Sequence, residues 1–370
     1  MNGKNKFNLV TIMLIFVLLA TACAPAATAQ PTQQPAPQPT PVPPTPITLV
    51  ETVEVVKTVS VVQTVVVPAP TTPPFDCKGK KLAYASFGSQ FAFIAIVDKS
   101  VQEAAKKAGV DLLFLDNKFD AAQAVTNAET IASRGDIDAV LEFNYYQQQN
   151  YVIKDIFNAA KIPVIAIDIP IPGSVYYGAD NYEAGKLAGL GLVDAANAKW
   201  GDKSVDLVLV EQQSLAGQQE LEKRTQGIIA GVKKALPDLA DDKIIRFEGG
   251  VNVDAAAEAV TTQLTAHPGA KHILVGMLGD SNAIAALNVA ESAKRDVLAA
   301  GIGGDDVGIN ALRTGKPAGF TGTTLFRPEM YGNDLIPLAC DLLAGKQVPP
   351  GVYIKHVFLT PANLNEFYPK

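Results

Sequence analysis

The sequence predicts an α/β protein built of two doubly wound parallel-sheet lobes, and three observations carry that prediction. From Lys80 onward, short apolar runs of strand period alternate with segments of helical period, the pattern of repeated βαβ units. The alternation breaks near residue 179 and resumes on the same plan. The length, 370 residues, leaves room for two such units besides accessory segments.

The elements follow in order. KLAYASF (81–87) reads as a strand, FAFIAIVDKSVQEAAKKAG (91–109) as a helix stopped by Gly109, and VDLLFLD (110–116) as a strand. DAAQAVTNAETIASRG (120–135) is a helix stopped by Gly135, IDAVLEF (137–143) a strand, QQQNYVIKDIFNAAK (147–161) a helix and IPVIAID (162–168) a strand. Such alternation implies a parallel sheet with helices on both faces. YYGADN (176–181) reads as a polar bridge to the second unit, with Asn181 capping the next helix and Gly185 and Gly189 permitting close helix packing. The second unit reads helix 181–200, strand SVDLVLVE (204–211), helix LEKRTQGIIAGVKKAL (221–236), strand KIIRFEG (243–249), helix 253–266, strand HILVGML (272–278), helix 281–294 and strand DVLAAGIG (296–303). A helix, PEMYGNDLIPLACDLLAGK (328–346), and a strand, VYIKHVFLT (352–360), finish the chain. Ligands of open α/β sheets sit outside the carboxyl ends of the strands. If two lobes turn those ends toward each other, a cleft lies between them, with Asp168 on it, and binding closes the hinge.

The N-terminal residues set the compartment. Lys4 and Lys6 precede an apolar core, LVTIMLIFVLLA (9–20), whose length suits a signal peptide rather than a membrane span. LATAC (19–23) then resembles a bacterial lipobox, with Cys23 as the lipid anchor, although Ala20 stands where Leu is usual; the alternative is an ordinary signal peptide cut at a nearby Ala. Either reading exports the chain. Residues 24–46 are rich in Pro, Thr, Gln and Ala, the composition of extended chain. VEVVKT (53–58) and VSVVQT (59–64) form a Val-rich repeat, read as a solvated spacer or as a strand that pairs with another copy or an envelope component. Residues 1–23 are thus expected to be a signal peptide and 24–78 a tether, whose roughly fifty residues reach on the order of 150 Å when extended.

Two further cysteines remain, Cys77 and Cys340. Export permits a disulfide between them, and two unpaired thiols are the alternative. The formal net charge of -6, without a dense Lys/Arg block, argues against nucleic acid as a partner. His267, His272 and His356 lie in no metal-like or nucleophile-like arrangement, so no catalytic residue, cofactor or metal is expected. GIGGDD (301–306) lacks the spacing of a dinucleotide fingerprint, and no Walker loop or G-x-S-x-G elbow occurs. Trp200 is expected to pack, and Asp241 and Asp242 to lie in a solvated loop.

From about residue 79 to 370 the chain resembles the type I periplasmic binding proteins of the ribose- and galactose-binding cluster. The resemblance rests on AGVDLLFLDNKFDAAQAVTNAETIASRGDIDAVL, IPVIAID, YGADNYEAGKLAG and GKQVPPGVYIKHVFLTPANLNEF. It implies three crossovers, near 179–180, 326–327 and 354–356. Lobe one is then 79–179 with 327–354, and lobe two 180–326 with 355–370, which places Cys77 and Cys340 in one lobe. The implied function is an extracytoplasmic, lipid-anchored, monomeric receptor in the periplasm or on the outer face. It captures a small carbohydrate and delivers it to an ABC permease. A ligand-presenting sensor for a chemoreceptor or kinase shares this fold, and so does a binder of a non-sugar polar ligand.

The resemblance also implies a ligand set. In SQFAF, Phe91 or Phe93 supplies a ring for sugar C–H groups, core packing being the alternative, and Gln90 replaces an amide. Asn144, followed by Tyr145, matches the residue after the third strand, and Asp168 the acid after the fourth. Carboxylates and amides suit vicinal hydroxyls. Departures accompany these matches. Ile169 stands where Arg is common, Glu222 aligns with a ligand-binding Arg while Arg224 is retained, and Gly279 replaces an Asn before Asp280. Gly303 replaces an Asp, leaving Asp305 to serve from a shifted position, and Phe326 replaces a late amide. With fewer cationic groups and more rings, the expected ligand is not ribose but a larger or less polar pyranose, a deoxy sugar, a polyol or a non-sugar.

Overall fold

β-Branched and small apolar residues on alternate positions let each strand feed two cores at once. In β1 (Lys81–Ser86), Leu82 and Tyr84 enter one core while Ala83 and Ala85 enter another. The computed structural model describes residues 77–201, 205–213, 219–250 and 252–370. Cys23, the expected signal peptide (1–23) and most of the expected tether (24–78) lie outside the described residues.

After β1 come α1 (Ala92–Ala108), β2 (Asp111–Asp116), α2 (Ala121–Arg134), β3 (Ala139–Glu142), α3 (Asn150–Ala160), β4 (Val164–Ile167) and β5 (Val175–Gly178). The chain continues through α4 (Asn181–Trp200), β6 (Leu207–Gln212), α5 (Gln219–Ala235), β7 (Ile244–Glu248), α6 (Val253–Ala266), β8 (Ile273–Gly276), α7 (Asp280–Ser292), β9 (Val297–Gly303), α8 (Asp306–Thr314) and β10 (Phe320–Leu325). It ends with α9 (Tyr331–Leu343), β11 (Gly351–Tyr353), β12 (Phe358–Leu359) and α10 (Leu364–Phe367).

Two six-stranded sheets result. The first has the order β11-β5-β4-β3-β1-β2 and is parallel throughout. The second has the order β12-β10-β9-β8-β6-β7, with only β12 antiparallel. Each is covered on both faces, the first by α1 and α9 opposite α2 and α3, the second by α4 and α5 opposite α6, α7 and α8. Three segments join the lobes, between β5 and α4, between β10 and α9, and between β11 and β12.

Several expectations need correction. The bridge at 176–178 is a strand, β5, paired with β4 and β11. Asp180, not Asn181, caps α4, its carboxylate accepting the Glu183 N–H at 3.0 Å. VYIKHVFLT is two strands in different sheets, because the chain changes lobes between Tyr353 and Phe358. The helix expected over 328–346 begins with a 3-10 turn and is α-helical only over Tyr331–Leu343. Asp241 and Asp242 lie in a 3-10 turn and are exposed. Trp200 packs, and its ring N–H donates to Asp296 Oδ2 at 3.0 Å.

Close contacts explain the glycines of α4. A Cβ on Gly185 would overlap the Arg224 carbonyl, and one on Gly189 the Ile228 carbonyl, so α4 and α5 meet backbone to backbone. Cys77 and Cys340 form a disulfide with a Cα–Cα distance of 5.6 Å, tying the start of lobe one to α9.

Candidate functional site

The carboxyl ends of the strands converge on a cavity of about 230 Å³ between the lobes. That is below the ~300–1,000 Å³ of drug-sized pockets, in the range of one small molecule. Lobe one reaches it through the segments after β1, β2, β3 and β4, and lobe two through those after β6, β8, β9 and β10.

The lobe-one wall is a cluster of rings. Phe87 lies 5.2–5.4 Å from Phe91, Phe119, Phe143 and Tyr145, measured between centroids. Phe91 meets Phe119 at 5.2 Å, and Phe119 meets Tyr145 at 4.7 Å. Buried polar groups fix the loops that carry these rings. Asp98 on α1 accepts from Tyr84 Oη at 2.6 Å and from Ser86 Oγ and Ser89 Oγ at 2.7 Å, which pins the loop before α1. Asn117 donates to Glu142 Oε1 at 3.1 Å and to the Phe143 carbonyl at 3.2 Å, and accepts from Asn127 at 2.8 Å. That network holds the Phe119 loop against the Phe143 loop.

Asp168 sits just past β4 with φ +55°, a costly conformation for a residue with a side chain. Gly178 makes it possible, since a Cβ there would overlap Asp168 Oδ1. The carboxylate accepts the Ala179 N–H at 3.0 Å and the Tyr331 hydroxyl at 2.9 Å. Burial pushes the Asp168 carboxyl above its ordinary range, opposed by the Arg224 charge and by these two donors. Arg224 donates to Asn181 Oδ1 at 2.6 Å and to the Leu278 carbonyl at 3.1 Å, and its guanidinium lies 4.9 Å from the Phe326 ring centroid.

Lobe two supplies most of the remaining polar wall. Asp280 Oδ2 accepts the N–H groups of Gly304 and Asp305 at 2.8 and 3.0 Å, shaping the loop after β9. Among the described residues, Asp280 Oδ1 is buried without a hydrogen-bond partner. Burial first, then the Asp305 charge, pushes Asp280 up to about 8. Asp305 caps α8 through the Gly308 N–H, and burial raises it as well. Behind this wall, Glu211 accepts from the Leu278 N–H at 2.7 Å and from Asn282 at 2.8 Å, and burial pushes it up to about 7. A hydrogen bond crosses the cleft, from Tyr145 Oη to Gln213 Oε1 at 2.9 Å.

Of the sequence-assigned residues, Phe91, Phe93, Tyr145, Asp168, Arg224, Asp280, Asp305 and Phe326 line this cavity. Phe93 also packs, with its centroid 6.1 Å from Phe326 and 5.8 Å from Tyr331. Three residues lie off the wall. Gln90 is exposed in the turn before α1. Asn144 is buried and spends its amide on Asn150 Oδ1 at 2.8 Å and the Tyr146 carbonyl at 3.1 Å. Glu222 pairs with Arg246 on the outer side of α5; two residues from Arg224, it is turned about 200° away on the helix. Phe87, Phe119, Phe143, Gln213 and Asn282 line the cavity but were not assigned. Phe87, Phe143 and Gln213 are each the first residue past a strand, so strand ends alone point to them.

Two doubly wound lobes, joined by three segments over a lined cavity, define a two-lobed solute-binding fold. A family model described as a periplasmic binding protein domain matches residues 83–347, and the chain belongs to that family, as a type I member. Curated relatives include the ribose import binding protein of Haemophilus influenzae, 26% identical over 272 residues that cover 72% of this chain and 86% of the relative. The ribose import binding protein of Escherichia coli (strain K12) is 27% identical, with 69% of this chain and 82% of the relative covered. Among solved structures, an ABC transporter solute-binding protein from Mycobacterium smegmatis with bound glycerol superposes with a TM-score of 0.68 at 22% identity, covering 78% of this chain and 96% of that one. One from Actinobacillus succinogenes with bound D-allose gives 0.68 at 19% identity, covering 78% and 100%. These likenesses are of fold.

Proposed function

We propose that this protein is an extracytoplasmic solute receptor. It captures a small carbohydrate between lobe one (79–179 with 327–354) and lobe two (180–326 with 355–370) and delivers it to an ABC permease. The observation that carries the reading is the inter-lobe cavity, with rings on one side and carboxylates, two amides and Arg224 on the other. Rings take up sugar C–H faces, while carboxylates and amides take up hydroxyls. Family membership and the ribose-binding relatives support the same reading. In this proposal Cys23 carries the lipid, residues 24–78 form the tether, and the body acts as a monomer that binds without catalysis. Among the described residues no helix is long and apolar enough to cross a membrane.

The test is a thermal-shift and calorimetric screen of the chain against pentoses, hexoses and polyols. A ligand at a hundred times its Kd should stabilise the fold by about 2.7 kcal/mol. Failure of every carbohydrate and polyol to bind would overturn the reading.

A further inference from the structure

Within the carbohydrate reading just given, we propose that the cleft selects a sugar with an apolar edge, a 6-deoxy hexose. Its methyl-bearing edge seats on the lobe-one rings, and its hydroxyls turn toward lobe two.

Three observations converge on this. First, lobe one has withdrawn its hydroxyl-reading amides. Gln90 is exposed off the wall, and Asn144 is bonded within its own loop. The one hydroxyl of the ring cluster that faces the cavity, on Tyr145, is engaged by Gln213. Second, no two of the contacting rings lie parallel: Phe87 and Phe119 are inclined by 37°, Phe87 and Phe143 by 54°, and three pairs stand edge to face. Phe87 and Phe91 are inclined by 72°, Phe87 and Tyr145 by 87°, and Phe91 and Phe119 by 75°. Rings so inclined offer edges as well as faces and leave no pair of parallel plates to clasp a flat pyranose, whereas a small apolar group such as a methyl can rest against several of them at once. Third, Phe87, Phe91 and Phe119 are only half-buried, so apolar surface stays open in a cavity of about 230 Å³.

A hydroxymethyl group seated against these rings gives up hydrogen bonds to water that the rings cannot replace. A methyl group gives up nothing and covers ring surface. On the opposite wall Asp280, whose Oδ1 has no partner among the described residues, and the partly engaged Asp305, Asn282 and Arg224 supply the polar groups that meet hydroxyls.

The experiment is calorimetry on the full chain with three matched pairs, D-fucose against D-galactose, L-rhamnose against L-mannose, and D-quinovose against D-glucose. In the pair whose stereochemistry the site accepts, the 6-deoxy sugar should bind about tenfold tighter or better, the scale of one unsatisfied buried hydroxyl. Phe91→Asn should reduce that ratio to near one, because an amide then faces the sixth carbon. Phe91 is the N-cap of α1 and makes no side-chain cap bond, and Asn is a favoured cap, so this variant should fold. If the hydroxylated parent binds as tightly as its 6-deoxy partner, or tighter, the inference falls while the carbohydrate reading stands. A 6-deoxy preference that survives Phe91→Asn also overturns it, since the rings would not be the selector. If no carbohydrate binds, both readings fail together.

Discussion

Lobe one and lobe two share a plan and differ in chemistry where they face each other. Both turn the carboxyl ends of a parallel sheet toward the cavity, and both place the lining residues just past those ends. Past β1, β2 and β3, lobe one sets Phe87, Phe91, Phe119, Phe143 and Tyr145, while lobe two sets Gln213, Asp280, Ser281, Asn282 and Asp305 past β6, β8 and β9. Topology decides where a ligand sits, whereas a few loop residues decide which surface it must show to each side. The lobes also differ in how they are held. Lobe one is closed by a disulfide, and among the described residues lobe two has none.

The largest expected effect tests that covalent difference. Replacing Cys77 and Cys340 by Ser releases a loop whose ends are 263 residues apart in sequence and which contains β6–β10 of lobe two. The chain-entropy model allows up to about 5 kcal/mol for a loop of this length. Urea unfolding should show the loss, and the ligand affinity of the folded variant should stay within about twofold, because neither Cys lines the cavity. A large change in affinity would mean that the disulfide sets the cleft as well as the lobe.

Next in size is Arg224→Ala. Arg224 is the cation that lobe two presents to the buried Asp168, and it also holds Asn181, Leu278 and the Phe326 ring. Hydrogen bonds made by a charged group contribute roughly 1.5–3 kcal/mol, so titration should show a loss of up to about a hundredfold. A small loss would place the lobe-two contribution in Asp305 and Asn282 instead.

Much of this plan was legible in the sequence, and what was not has physical causes. The period-2 and period-3.6 alternation located β1–β4 and α1–α3 to within a few residues, because apolar faces of buried sheets leave strong patterns. β5, VYYG, escaped because only four residues pair and they end in a glycine required by Asp168. β10, FTGTTL, escaped because Thr and Gly dominate it, and α8 because nine residues with an internal glycine make a weak periodic signal. In the site, strand-end logic and family likeness led to Asp168, Asp280 and Tyr145. Phe119 was not reachable that way, since it enters the cavity from a turn with φ +56° whose shape depends on the Asn117 network. Glu222 was misplaced because alignment ignores which way a helix faces two residues on.

The third effect concerns protons. Burial pushes Glu142 in lobe one up to about 8, and in lobe two it pushes Glu211 to about 7 and Asp280 to about 8, from ordinary values of 4.5, 4.5 and 3.8. Above the ordinary values and below the raised ones, the folded protein holds more protons than the unfolded chain. Its stability therefore falls as pH rises through that window, from about pH 5 to about pH 8. Glu142→Gln should flatten the slope by the lobe-one share while leaving affinity unchanged, because Glu142 does not line the cavity. Chemical denaturation at several pH values would measure it. An unaltered slope in this variant would assign the whole dependence to the carboxyls of lobe two.

The smallest effect bears on a hydrogen bond that joins the two walls directly. Tyr145 donates across the cleft to Gln213, whose amide in turn donates to the Gly250 carbonyl at 2.7 Å. Tyr145→Phe keeps the ring in its cluster and removes only the hydroxyl, which should weaken the closed arrangement by about 1 kcal/mol. Small-angle scattering of the unliganded variant should then show a larger radius of gyration than the parent, with little change in melting temperature, since the bond stabilises neither lobe alone. Affinity should fall about fivefold, because a ligand that binds the closed form must now supply the closing energy that the Tyr145 hydroxyl gave. If affinity rises instead, the hydroxyl competes with the ligand for Gln213, and the polarity of that wall is held in reserve until a sugar displaces Tyr145.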